Sequence, residues 1–258
     1  MKPVSFFKLV LLCGIMSFTP SQHRPVFYII GDSTVKNGDG KNSNQLQGWG
    51  SFIDTYFDTA GISISNQAIG GRSSRTFITE GRWDKILTTL QKGDYVIMQF
   101  GHNDSGPLDD TARARGSIKG TGEDSTEIYN PIRKQKEVVH TYGWYMRKYA
   151  TDAKAKGAIP IICSPVPRND WKDGKVLRSS NTYTKWAKEI AEQTGSYFID
   201  LHKIISDEYE KIGQEKATAF FPQEHTHTNK EGAMLNATIV VTAIKELKKC
   251  KLKKYLLR

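Results

Sequence analysis

The sequence predicts a three-layer α/β/α sandwich built on a five-stranded parallel sheet. Two patterns carry that expectation. Five short apolar runs recur along the chain: VFYII at 26–30, ISISNQAI at 62–69, YVIMQF at 95–100, IPIICS at 159–164 and YFID at 197–200. Between and after them, the stretches 131–156, 181–195, 201–212 and 231–248 carry apolar residues at helical spacing. Strands that alternate with helices form βαβ units, and parallel strands buried on both faces read as continuous apolar runs.

Ahead of the first strand, Lys2 precedes an apolar run from about Val10 to Phe18. Such a run is too short to span a bilayer and suits the core of a signal peptide. Thr19 and Ser21 fit cleavage before Gln22, whereas Leu12 before Cys13 does not fit a lipoprotein signal. Residues 1–21 are therefore expected to be removed on export, leaving 22–258 as one domain, secreted or periplasmic, with no membrane insertion. A monomer is expected. Of the three cysteines, Cys13 would leave with the signal; Cys163 and Cys250 make neither a disulfide framework nor a zinc-like spacing, and Cys163 sits in a core strand.

The formal charge is +10, and removal of Lys2 and Lys8 leaves +8. A basic surface favours polyanionic partners. Nucleic acid is set aside, because the chain has no helix-turn-helix, zinc-knuckle or aromatic RNA-binding signature. An acidic polysaccharide fits the charge and the export signal together. The lysine-rich end, KELKKCKLKKYLLR, reads as the solvated end of a terminal helix.

In parallel sheets, ligands bind at the carboxyl ends of the strands, so the residues after each apolar run carry the chemistry. GDST at 31–34 follows the first run and puts Ser33 on a tight turn. NQAIGGRSSR at 66–75 follows the second, and its paired glycines let a backbone N–H face a ligand. FGHND at 100–104 follows the third and supplies the Asn103 amide. The stretch Ser105–Asn130, rich in Gly, Asp and Thr with little apolar periodicity, is expected to be a substrate-shaping loop on this face. Beyond later strand ends lie Arg168, Asn169 and Trp171, and Arg72 and Arg75 follow the paired glycines. Near the end, PQEHTHTNKEGA holds Glu224, His225 and His227, with Thr228 and Glu231 spaced as a capping box for the last helix. His225 and His227 alone do not make a metal site.

Each motif is weak alone, but their order resembles the SGNH, or GDSL-type, hydrolase superfamily, whose four named residues map onto Ser33, Gly71, Asn103 and His227. GDST, GWG (48–50), GGRSSR, EGRW (80–83), GDYVIMQFGHND and HTHTN resemble its rhamnogalacturonan acetylesterase branch, from Val26 to about Ala243. The resemblance implies a flavodoxin-like sheet and a serine esterase without cofactor or metal. It implies Ser33 as nucleophile, His227 as base, and an oxyanion hole of the Ser33 and Gly71 N–H groups with Asn103. The branch usually has Asp three residues before the histidine, where this chain has Glu224. Glutamate supplies the same charge on a longer arm, as third-member acids elsewhere do. The implied substrate is acetylated pectin, with Arg168, Asn169, Trp171, His225 and Arg75 as candidate contacts; arginine forks suit a uronate carboxylate. Xylan and sialate esters, longer acyl chains, and binding without catalysis stay open as alternatives.

Overall fold

The computed structural model describes residues 23–38, 46–178 and 181–257; the expected signal peptide, 1–21, lies outside them. In chain order the strands are β1 (Val26–Gly31), β2 (Ser63–Asn66), β3 (Tyr95–Gln99), β4 (Ser125–Asn130), β5 (Gln135–His140), β6 (Ile159–Cys163), β7 (Trp171–Lys172), β8 (Lys175–Val176) and β9 (Tyr197–Ile199). The helices are α1 (Ser74–Thr79), α2 (Arg82–Leu87), α3 (Tyr142–Ala155), α4 (Asn181–Thr194), α5 (Leu201–Ile212), α6 (Gln214–Thr218) and α7 (Lys230–Glu246). Five strands form one parallel sheet in the order β2-β1-β3-β6-β9. All five come from the expected apolar runs.

The two-residue period of a strand sends alternate side chains into two separate cores. Phe27, Ile29, Tyr95, Ile97, Ile161 and Cys163 enter one, which is closed by Ile205 of α5, Val240 of α7 and Ile53 of the short 3-10 helix Trp49–Tyr56. Tyr28, Ile30, Val96, Met98 and Ile162 enter the other, closed by Phe77, Trp83, Tyr145 and Ile190 of α1 to α4. Each side chain of this size stabilises the fold by about 1.5–3 kcal/mol when fully buried. These two layers hold the strand ends rigid beneath the site.

Residues 125–140 depart from expectation. They form the antiparallel ribbon β4–β5, with Ser125 opposite His140 and Asn130 opposite Gln135, in place of a loop running into a helix. The alternation of exposed Val138 with buried Glu137 and Val139 is that of a half-buried strand, and paired β-branched residues favour it. The helix begins only at Tyr142, where the Thr141 side chain accepts the Trp144 N–H at 3.0 Å and caps it.

Candidate active site

Ser33 follows β1 on a turn in which the Val35 and Lys36 amides both bond the Asp32 carbonyl. The buried Asp32 carboxylate accepts the Thr34 N–H at 2.9 Å and its hydroxyl at 2.8 Å. From there a buried chain runs inward: Gln99 donates to the Thr34 hydroxyl at 2.7 Å, and Trp49 donates its indole N–H to Gln99 at 2.9 Å. The GWG segment is pressed against this turn, with Trp49 N–H on Thr34 O and Gly50 N–H on Val35 O. A Cβ on Gly50 would come within 2.3 Å of that same carbonyl, so the close approach demands glycine. The Ser33 turn is thus fixed from both sides.

His227 reaches Ser33 from the segment before α7. Its Nε2 lies 2.6 Å from Ser33 Oγ, and its Nδ1–H donates to Glu224 Oε1 at 2.6 Å. That bond leaves Nε2 unprotonated and able to accept the hydroxyl proton. Glu224 also accepts the His227 N–H at 2.7 Å and the Thr226 N–H at 2.9 Å, and these bonds pull its carboxyl below the usual range against the opposing effect of burial. Thr228 does not cap the helix as expected. Its carbonyl accepts the Gln47 N–H at 2.9 Å and its hydroxyl donates to Gln47 O at 3.0 Å. Asn229 takes over the cap and accepts the Gly232 N–H at 2.9 Å. Both contacts anchor the histidine segment.

Gly71, after β2, sits at φ +77°, a conformation that strains residues with a Cβ. The Ser33 and Gly71 N–H groups find no acceptor among the described residues. Asn103, after β3 and only 7% exposed, donates one amide proton to Arg72 O at 3.0 Å and keeps a second free to donate. Beside it, the buried Asp104 carboxylate accepts the Ser74 N–H at 3.1 Å, the Ser74 hydroxyl at 2.5 Å and the Ser117 hydroxyl at 3.0 Å. Burial raises its pKa to about 6 although the serine bonds favour the charged form. Asp104 thereby ties the β3 end to α1 and to the following loop.

The expected substrate contacts divide. Arg75 is a correction: its side chain is 0% exposed, ion-paired with Glu137 at 2.7 Å and donating to the Leu108 and Gly116 carbonyls, so no substrate reaches it. Charge and position in the sequence resemble a ligand contact, but Glu137 lies 62 residues away and cannot be paired by inspection. Arg75 instead fastens the 105–124 loop and the β4–β5 ribbon to α1. Arg72 pairs with Glu80 at 3.0 Å. Asn169 bonds its N–H to His225 O at 2.7 Å and accepts the Trp171 indole N–H at 2.7 Å, and the Trp171 ring packs on the first core. His225 is held at the surface by Asp170 at 2.7 Å. Arg168 lines a cavity of about 250 Å³ together with His102 and Tyr183.

The structure adds residues that no motif announced. Ser33 and His227 line an open cavity of about 510 Å³ together with Lys36, Leu46, Gly70 and Gln223. Lys36 lies one turn beyond the nucleophile, a spacing that offers the only sequence signal for it. Arg115, from the loop after β3, donates to Gly71 O at 3.3 Å, and burial lowers its pKa. Lys36 thus shares a cavity with Ser33, Arg115 is held at Gly71, and Arg168 belongs to the separate cavity with His102.

The described geometry has close relatives. The rhamnogalacturonan acetylesterase of Emericella nidulans is 34% identical over 89% of this chain and 88% of its own length. The rhamnogalacturonan acetylesterase RhgT of Bacillus subtilis is 29% identical over 85% of this chain and 89% of its own. The crystal structure of Bacillus subtilis YxiM superposes with a TM-score of 0.70 at 27% identity, covering 88% of this chain and 57% of YxiM. The GDSL-like lipase/acylhydrolase family profile matches residues 29–235, from β1 through the histidine segment into α7. With the family's sequence pattern spanning the sheet and the Ser33–His227 pair alike, the chain belongs to the GDSL-like lipase/acylhydrolase family, as a serine esterase.

Proposed function

We propose that the protein is an exported carbohydrate O-acetylesterase that removes acetyl groups from acetylated pectin, rhamnogalacturonan first, through an acetyl-Ser33 intermediate. The observation that carries this reading is the unbroken contact chain from Ser33 Oγ through the His227 ring to Glu224, with both bonds at 2.6 Å. His227 Nε2 takes the hydroxyl proton as Ser33 Oγ bonds to the acetyl carbonyl carbon. The tetrahedral oxyanion is held by the Ser33 and Gly71 N–H groups and the free Asn103 amide proton. On collapse the sugar C–O–acetyl bond breaks, and the sugar oxygen leaves with the proton from His227. Water, deprotonated by the same nitrogen, then attacks the acetyl carbon; the Ser33 Oγ–acyl bond breaks, His227 returns the proton to Ser33 Oγ, and acetate leaves. Glu224 keeps the ring in the working tautomer and stabilises the imidazolium that forms twice per turnover.

Two observations support the pectic substrate. The named relatives from Emericella nidulans and Bacillus subtilis are rhamnogalacturonan acetylesterases. Lys36 lines the Ser33 cavity, Arg115 is bonded to Gly71 O and Arg168 lines the cavity with His102, while the acids Glu224 and Asp170 are engaged by His227 and His225. Such a field gathers a polyuronate and does nothing for a neutral xylan. Export is supported by the N-terminal apolar run behind Lys2. The test is acetate release from acetylated rhamnogalacturonan, acetylxylan and longer-chain acyl esters at low and high salt. The reading requires rhamnogalacturonan to lead, by a margin that shrinks as salt screens the site over less than about 10 Å. A panel led by xylan, without salt dependence, overturns the pectin assignment; preference for long acyl chains overturns acetyl specificity.

A further inference from the structure

Three buried polar atoms, Arg168 Nε, Tyr183 OH and His102 Nε2, have no hydrogen-bond partner among the described residues. All three residues line one cavity of about 250 Å³. Buried polar groups are almost always satisfied, and three of the nine exceptions among the described residues belong to the lining of this one cavity, which points to a partner from outside. Tyr183 is only 9% exposed, and its ring is wedged edge-on against Tyr142 and Trp186 at 5.0 Å from each, so its hydroxyl direction is set by packing.

The three groups share a chemistry. Arg168 carries a permanent charge and an N–H that only donates. Burial pushes the Tyr183 hydroxyl well above its ordinary pKa, so it stays protonated and donates. Burial also holds the His102 ring down at about 4, so it is neutral, and in the Nε2–H tautomer the unpartnered nitrogen donates. One fixed cation flanked by two neutral donors is the complement of a carboxylate. Asp170 also lines the cavity, but its carboxylate is taken by His225 at 2.7 Å. Gly101, Pro165 and Leu177 supply apolar surface for the ring that bears the acid.

The cavity adjoins the reacting centre on two sides. His102 directly precedes the oxyanion residue Asn103, and the Arg168 wall is joined to the histidine segment through Asn169 N–H on His225 O at 2.7 Å. We infer that this cavity is a carboxylate subsite, in which Arg168, Tyr183 and His102 hold a uronate carboxylate of the acetylated oligosaccharide and so position the acetyl ester over Ser33. The inference rests on the pectic reading above and goes beyond it in assigning the residues that read the acid.

The experiment compares parent, Arg168→Gln, Arg168→Lys and Tyr183→Phe on three substrates: an acetylated acidic rhamnogalacturonan oligosaccharide, the same oligosaccharide with its carboxyl groups methyl-esterified, and 4-nitrophenyl acetate. Tyr183→Phe removes an oxygen that bonds nothing among the described residues, so the fold is expected to stay intact. For the acidic oligosaccharide, KM is expected to rise about tenfold to a hundredfold in Arg168→Gln and several-fold in Tyr183→Phe, with Arg168→Lys between parent and Arg168→Gln. Turnover of 4-nitrophenyl acetate should fall far less than kcat/KM for the acidic oligosaccharide, and methyl esterification should raise the parent's KM and erase the differences among variants. If the parent prefers the acidic oligosaccharide and the variants keep that preference, the subsite is overturned while the pectic reading stands. If the variants lose 4-nitrophenyl acetate turnover in the same proportion, the cavity receives the acetyl group and the inference fails. If the parent itself ignores methyl esterification, the substrate reading fails and takes the subsite with it.

Discussion

Glu224 holds His227 by two bonds from a single carboxylate oxygen, one to the ring Nδ1–H at 2.6 Å and one to the backbone N–H at 2.7 Å. The same side chain therefore sets the tautomer of the ring and the path of the segment that carries it. The longer arm of glutamate is fully used: its second oxygen takes the Thr226 N–H at 2.9 Å.

Glu224→Ala is expected to lower kcat by about tenfold to a thousandfold, less than the loss for a fully buried triad acid, because the Glu224 side chain is 41% exposed and water can partly replace it. Glu224→Asp shortens the arm by about one C–C bond, ~1.5 Å, and should fall between Ala and the parent. Steady-state kinetics on 4-nitrophenyl acetate check both. Parent-like kcat in Glu224→Ala would mean that another group orients the ring.

Under the proposed mechanism Asn103→Ala removes one of three oxyanion donors and is expected to cost about a hundredfold to a thousandfold in kcat with little change in KM. It also strips the Arg72 carbonyl of its partner, so a modest drop in melting temperature should accompany it. A large KM effect with kcat preserved would move Asn103 from the oxyanion to ground-state binding.

Arg75→Ala leaves Glu137 buried without its ion partner and frees two loop carbonyls. The expected loss is about 3–5 kcal/mol of stability, read by denaturant unfolding. At temperatures where the variant is still folded, substrate affinity should change far less than it does in Arg168→Gln. A variant as stable as the parent but with weakened substrate binding would restore Arg75 as a ligand contact.

His102 and Asp104, neighbours in sequence, pull pH-dependent stability in opposite directions. Burial lowers the His102 pKa to about 4 against the attraction of Asp32, and Arg168, His227 and His202 lower it further. An unfolded histidine binds its proton near pH 6.5, so between about pH 6.5 and 4 the unfolded chain gains a proton that the native chain refuses, and stability falls with pH. Asp104 is raised to about 6, so from about pH 4 to 6 the native chain holds a proton that the unfolded chain has lost, and stability falls as pH rises. His102→Gln should therefore gain stability relative to the parent at pH 4.5 compared with pH 7.5, and Asp104→Asn should show the reverse. Thermal melts at the two pH values check both signs; parallel shifts in both variants would contradict them.

What was legible in the sequence follows from how locally each feature is encoded. The five sheet strands announce themselves because each is buried on both faces, and so do the placements of Ser33, Gly71 and Asn103 after strands and of His227 before the last helix. The β4–β5 ribbon was not, since a solvent-facing strand such as QKEVVH is mostly polar and its pairing with STEIYN is tertiary information. Asn229 displaced Thr228 as the cap because Thr228 was needed by Gln47, a contact across 181 residues. The Trp49–Gln99–Thr34 chain and the Arg75–Glu137 pair are invisible for the same reason: their meaning lies in partners far along the chain.

The most direct test of the central claim is acetate release from acetylated rhamnogalacturonan by the parent and by Ser33→Ala, with both melting curves recorded. Ser33 Oγ contacts only the His227 ring among the described residues, so its removal should leave the melting temperature near the parent's. Acetate release is expected from the parent and reduced by at least about a thousandfold in Ser33→Ala. A folded Ser33→Ala protein that releases acetate at close to the parent's rate would contradict the account.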